Sequence, residues 1–172
     1  LFSTWAAEPV KRGGIWRLAR NKATSSMDPQ RANEFYTCMG GMYDCLVDVT
    51  IDPKTSECKL VPGLATEWHL EKNNRRLLFT LRKGILFHDG SRFDAAAAKW
   101  NLDRLRLHPK SYLAPDIKEI ESVEALNEQT VSINLKYPSA GLIYNLSTAR
   151  VMGGFVSKSF QEKNGDDELA RK

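Results

Sequence analysis

The sequence has no run of 18 apolar residues anywhere in its 172 positions, so no segment reads as a membrane-spanning helix. Cysteine and histidine are scarce, three of each, and they are not spaced for a metal. His69, His88 and His108 stand apart from one another, and neither H-E-x-x-H nor C-x-x-C occurs. A zinc site needs three or four converging ligands. The elbow of a nucleophilic hydrolase is missing too: there is no G-x-S-x-G, and Ser91 after Gly90 lacks the second glycine. Gly13-Gly14 precedes a predicted strand and does not join a strand to a helix, so a phosphate-cradling loop is also absent. These absences point away from an enzyme. No catalytic residue, metal site or cofactor is assigned from the sequence.

Charge of one sign is not concentrated either. Lys and Arg number 25 against 21 Asp and Glu, a net charge of +4. The basic residues are interleaved with acids, as in Lys118-Glu119 and Glu162-Lys163. A nucleic-acid binder gathers its excess on one face, so none is expected as a partner. The densest pair, Arg75-Arg76, reads as a solvated hairpin tip. Cys38 and Cys45 lie on one predicted helix, about two turns or ~10 Å apart along its axis, too far for a disulfide. A bridge from Cys58 to either stays open, and small buried thiols are the preferred reading.

What is present is an ordinary globular composition, 42% hydrophobic and 27% charged, with seven Phe, five Tyr and four Trp spread from Phe2 to Phe160. Residues 1–13 read as a leader or mature N-terminus, its Ser3-Thr4-Trp5-Ala6-Ala7 resembling the small residues that end a secretory signal. A first strand is predicted at Ile15–Ala19. A helix is predicted from Asp28-Pro29, as N-cap and first position, through Val47, with Phe35, Met39, Met42, Tyr43 and Leu46 on one face. Gly40-Gly41 weakens it.

Two hairpins follow, Val47–Ile51 with Cys58–Val61 and Thr66–Leu70 with Arg76–Leu81. A short strand Ile85–Phe87 closes on the turn His88-Asp89-Gly90-Ser91. There an Asp89 side-chain bond to nearby backbone and a positive φ at Gly90 explain the residues without a metal. Asp94 caps a helix to Leu107, with Ala95, Ala98, Leu102 and Leu105 as its apolar stripe and Trp100 off it. A third hairpin pairs Ile120–Ala125 with Thr130–Leu135. A helix from Pro138-Ser139 to Thr148 and polar helical pieces at Ser157–Phe160 and Asp166–Lys172 complete the prediction. Trp68 is expected in the core.

In order along the chain, Met27-Asp28-Pro29, Tyr43-Asp44-Cys45-Leu46-Val47, Pro62-Gly63-Leu64-Ala65-Thr66-Glu67-Trp68, the segment Phe79 to Gly90 (FTLRKGILFHDG) and Thr130 to Leu135 with Tyr137-Pro138 match known motifs. They resemble L-D-P, Y-D-x-L-V, P-x-L-A-x-x-W, F-x-L-R-x-G-V-x-F-H-D-G and T-V-x-I-x-L of the extracellular solute-binding proteins of the dipeptide/oligopeptide-binding family (family 5) of ABC importers.

The resemblance implies an extracytoplasmic, periplasmic receptor that captures peptides, or in some members nickel, sugars or opines, and delivers them to a membrane permease. It implies an α/β (α+β) fold of antiparallel hairpins with flanking helices: part of a periplasmic-binding-protein-like lobe at 14–50 and an inserted domain at 51–172, cut before the second lobe. Through it, the loops Ala23-Thr24-Ser25 and Ser111-Tyr112 are expected to flank the solute, while the FHDG segment is expected to be a structural turn. A sensor domain of a regulator, or a fragment that binds nothing by itself, is the alternative. Trp16, Trp100 and Phe155 are expected on surfaces through which such a piece would self-associate.

Overall fold

Alternation builds the central sheet. In strand β6 (Thr130–Leu135) the residues Val131, Ile133 and Leu135 are buried, and in β4 (Arg76–Leu81) so are Leu77, Phe79 and Leu81. A period of two puts each set on one face. With β3 (Ala65–Glu71) and β5 (Ile120–Asn127) they form an antiparallel sheet of order β3-β4-β6-β5, in which Phe79 lies opposite both Trp68 and Val131. The computed structural model describes residues 13–15, 27–31, 41–150 and 153–165. The predicted strand Ile15–Ala19, apart from Ile15, lies outside them, as do Trp5, Trp16, Cys38, the loop Ala23–Ser25 and the segment Asp166–Lys172.

Helix α1 (Ala95–Leu107) covers β5 and β6. The predicted stripe is the buried one: Ala95, Ala98, Leu102 and Leu105 are all fully enclosed. Burying each of the two leucines contributes about 1.5–3 kcal/mol. Asp94 caps the helix by accepting the Ala97 N–H at 2.8 Å, and His108-Pro109 ends it. Trp68 packs against the core as expected.

The far face of the sheet is not wholly wet. Arg76 belongs to β4, donates from Nε to the buried Ser132 hydroxyl at 2.8 Å and pairs with Glu71 at 3.6 Å. The solvated tip is instead Lys72-Asn73-Asn74, all at positive φ, and of the arginine pair only Arg75 is exposed.

A second, two-stranded sheet pairs β1 (Val47–Ile51) with β2 (Cys58–Pro62) across a turn in which Asp52 Oδ1 accepts the Lys54 and Thr55 N–H groups. Of the helix predicted through Val47, residues 32–40 lie outside the described residues and residues 41–46 are not helical. Gly41-Met42 is a turn and the chain then runs extended, because the carbonyls of Cys45 and Leu46 accept the Leu64 and Ala65 N–H groups at 2.9 Å each, a pairing closed to a helix.

The helix predicted from Pro138 shrinks to α2 (Leu142–Asn145) and a 3-10 turn at Thr148–Arg150. Ser139 spends its hydroxyl on Glu119 at 2.9 Å instead of capping, and Ser147 bonds back to the Tyr144 carbonyl at 2.7 Å. The strand at Ile85–Phe87 is a single bridge, Leu86 to Arg92. Cys45 is a buried thiol whose pKa is pushed up to about 12 by burial and by Asp48 and Asp44, whereas Cys58 is exposed, against the buried reading. Neither is in a disulfide.

Gly63 marks the tightest backbone approach. A Cβ there would stand 2.7 Å from the Cys45 carbonyl oxygen and 3.1 Å from that of Leu46, neither of which can yield. Gly63→Ala is expected to destabilise by about 1–3 kcal/mol in urea unfolding. Gly141→Ala, at φ −79° with open space around it, is expected to be neutral or slightly stabilising.

Candidate functional site

Helix α1 carries two polar residues beside its apolar stripe, Asn101 and Arg104, and both are buried. They meet Asp28 and Gln30, also buried, from far earlier in the chain. Arg104 grips Asp28 with both terminal nitrogens, Nη2 to Oδ2 at 2.5 Å and Nη1 to Oδ1 at 3.3 Å, and donates to Gln30 Oε1 at 2.8 Å. Gln30 Nε2 donates to Asn101 Oδ1 at 2.9 Å and to the Gly154 carbonyl at 3.2 Å. Asn101 closes the set by accepting the Val156 N–H at 2.9 Å and donating to the Val156 carbonyl at 3.0 Å.

The network therefore staples Met27–Arg31 and Gly153–Ser157 to one helix. Burying charge this way is tolerable only because each group finds its partners. Asp28 does accept the Gln30 N–H at 3.0 Å, in the manner of the predicted cap, but its carboxylate chiefly serves Arg104.

This staple meets the predicted solute loop at Ser111-Tyr112. The Tyr112 N–H donates to the Gln30 carbonyl at 3.3 Å, and Leu113 and Ile117 anchor the loop from below in the core. Ser111 has a buried hydroxyl with no hydrogen-bond partner among the described residues, while Tyr112 is 48% exposed. Ala23, Thr24 and Ser25 lie outside the described residues. The segment that follows them, Met27–Arg31, is the one that meets Ser111-Tyr112.

The His88–Ser91 turn has the predicted form. Gly90 sits at φ 81°, and Asp89 Oδ1 accepts the Ser91 N–H at 3.0 Å and its hydroxyl at 2.6 Å. A partner not foreseen from sequence is Ser157, whose hydroxyl donates to Asp89 Oδ2 at 2.5 Å while accepting the Phe160 N–H to cap α3 (Lys158–Asn164). Burial would raise the Asp89 pKa, but these donors outweigh it and hold the carboxyl below its usual range. Among the described residues no group of three His, Cys, Asp or Glu converges as a metal site.

Phe155 is buried in a ring cluster, 5.8 Å from Phe93, which is 5.9 Å from Phe87, so it is not the exposed surface expected of it. Trp100 is half-buried, with the Arg104 guanidinium 5.9 Å from its ring centre, so this ring is engaged within the chain. A cleft of about 220 Å³ opens beside the cluster between Tyr43, Asp44, Phe87 and His88. The Tyr43 hydroxyl donates to the Met27 carbonyl at 2.9 Å, and its pKa is raised by burial and by Asp28.

Arg104→Met is expected to cost about 3–5 kcal/mol in urea unfolding, because it strands the Asp28 charge. The double variant Asp28→Leu/Arg104→Met should cost clearly less than the two single changes added. For Asp89 the folded pKa is depressed, so its contribution is complete above the unfolded value near 3.9 and is lost as pH falls through the lower folded value. The stability gap between the natural chain and Asp89→Asn is expected to be constant from about pH 7 to about pH 5 and to narrow below about pH 4.

Residues 59–171 match the model of the bacterial extracellular solute-binding proteins, family 5 middle region. The glutathione-binding protein GsiB of Pectobacterium atrosepticum is 33% identical over 145 residues, which cover 82% of this chain and 27% of that protein. Among solved structures, the binding protein MoaA from A. tumefacien R10, in complex with mannopinic acid, superposes with a TM-score of 0.74 at 25% identity, covering 84% of this chain and 29% of that one. The ABC transporter-associated periplasmic binding protein DppA from Helicobacter pylori, in complex with the peptide STSA, gives 0.66 at 26% identity, covering 84% and 32%. The chain thus spans about a quarter to a third of the length of these relatives. All three are binding proteins and none is named as an enzyme. With a family model covering well over half of its residues and the fold shared with solute-binding proteins, the chain belongs to the bacterial extracellular solute-binding proteins of family 5.

Proposed function

We propose that this chain forms part of a periplasmic receptor that captures a peptide-type solute and delivers it to the permease of an ABC importer. The observation that carries this reading is the family match over residues 59–171, joined to a likeness in fold to proteins solved with bound small solutes. The peptide class is favoured by the relatives' names: one binds glutathione, itself a small peptide, and one was solved with the peptide STSA. Residues 14–50 are assigned to the first lobe and 51–172 to an inserted domain, with a second lobe supplied by further sequence.

Within this receptor the solute is flanked by Ala23, Thr24 and Ser25 on one side and by Ser111 and Tyr112 on the other. Two facts support that pairing. The backbone after the first loop is bonded to the second at Tyr112, and Ser111 holds a buried hydroxyl that no group among the described residues satisfies. Such a hydroxyl costs about 1–3 kcal/mol while unpaired, which a polar ligand atom can relieve. Capture works by closure of two lobes, with contacts to both favouring the closed state.

Calorimetry with glutathione and a panel of di- and tripeptides tests the reading. The full-length receptor should bind one of them with micromolar affinity, and Ser111→Ala should weaken that binding several-fold. The 172-residue chain alone should bind none measurably, since one side of the contact is missing. No binding of any peptide by the full-length protein, with tight binding of a non-peptide solute, would overturn the peptide assignment.

A further inference from the structure

We infer that the basic cleft at the N-terminal end of helix α1 is a docking site for an acidic, partly apolar segment of a protein partner, separate from the solute loops. The cleft measures about 390 Å³ and lies between the segment after β4, the end of the β5–β6 hairpin and the start of α1. Its floor is Ile85 and Phe93, and its rim carries Arg82, Lys83 and Arg92, all exposed. Ser111 follows the opposite end of the 13-residue α1, about 20 Å away along the axis, so the cleft and the solute loops cannot share one small ligand.

Two of the three charges of this rim have no partner among the described residues. Arg82 is partly committed: its Nε donates to the Gly63 carbonyl at 3.2 Å, and its charge favours ionised Asp48. Lys83 and Arg92 have no ion-pair or hydrogen-bond partner among the described side chains. Two carboxyls face the three cations. Asp94 is occupied by capping α1 through the Ala97 N–H, which leaves Glu128, whose backbone carbonyl accepts the Ala95 N–H at 2.9 Å, as the acid of the cleft whose side chain makes no bond among the described residues. Leu86, beside these charges, is 60% exposed.

Magnitudes select the partner. A single exposed ion pair contributes little in water, so a lone carboxylate or phosphate gains too little to stay. Covering the exposed part of Leu86 adds a favourable apolar contact to whatever reaches over it. A segment that sets two carboxylates on Lys83 and Arg92 and an apolar side chain on Leu86 gains from all three contacts at once. Glu128 opposes it and sets the site's selectivity against excess negative charge.

The test measures fluorescence anisotropy of a labelled, short alternating Glu/Leu peptide titrated with the full chain at low salt and at about 0.15 M, where charge is screened beyond ~8 Å. Binding is expected, weakening with salt. Lys83→Glu/Arg92→Glu should reduce affinity tenfold or more, and Glu128→Gln should raise it several-fold. Lys59→Glu, remote from the cleft, should leave it unchanged. All four substituted positions are exposed, and circular dichroism confirms that the variants keep the fold. The proposal is overturned if the double variant binds as well as the natural chain, if a Lys/Leu peptide binds equally, or if inorganic phosphate displaces the peptide at low millimolar concentration. It is equally overturned if the chain sediments with phosphatidylglycerol vesicles through Lys83 and Arg92 while ignoring the peptide, which would make the anion a lipid headgroup.

Discussion

The ion pair between Asp28 and Arg104 is the constraint on which the arrangement of this chain turns. Its two members are buried, at 0% and 8% exposure, and come from segments 76 positions apart. A charge moved from water into such a place costs several kcal/mol, and mutual attraction repays it only when geometry is good and the remaining donors are used. Here they are used: Gln30 takes the next guanidinium proton, Asn101 takes the amide of Gln30, and the backbone of Gly154 and Val156 completes the chain of bonds. The result is specificity of position. Apolar contacts alone would let Met27–Arg31 slide on the helix; a linked set of directional bonds fixes one register.

That register explains two close fits nearby. Gly154 lies where a Cβ would stand 2.8 Å from the Tyr43 Cβ and 3.1 Å from that of Pro29. Only a residue without a side chain lets the chain at 153–156 pass under Pro29 and reach both Gln30 and Asn101. One step further, Phe155 enters the ring cluster with Phe93 and Phe87, and Ser157 bonds Asp89. The turn at His88–Ser91 is thus tied to the same late segment that the buried ion pair holds from the other side. The FHDG segment has a positional role: it fixes where α3 begins.

The sequence made some of this legible and hid the rest for physical reasons. Hairpins announce themselves because alternation and turn chemistry are local: Leu77, Phe79 and Leu81 alternate in one strand, and Asp52 closes its own turn. The stripe Ala95, Ala98, Leu102, Leu105 is local as well. Asn101 and Arg104 were invisible as core residues because polar side chains next to a stripe normally meet water, and their partners lie some 70 positions away. The helix expected to run to Val47 failed for the same kind of reason. Tyr43 and Leu46 keep helical spacing, but cross-chain bonds to Leu64 and Ala65 decide the backbone there. Of the proposed solute loops, Ser111-Tyr112 was reached only through resemblance. Nothing in the local sequence distinguishes a serine with an unsatisfied hydroxyl from any other loop serine.

The placement of α1 joins the two roles assigned to this chain. Its C-terminal half, at Asn101 and Arg104, holds the backbone that meets Ser111-Tyr112, and its N-terminal end forms one wall of the basic cleft. Its middle is locked against β5 and β6 by fully enclosed side chains, so the helix moves as one body with the sheet. One rigid element therefore sets the arrangement of the basic cleft at one end and the Ser111-Tyr112 loop at the other. That arrangement depends on the buried ion pair, because without it the loop segment and the helix would be separate bodies sharing only apolar contact.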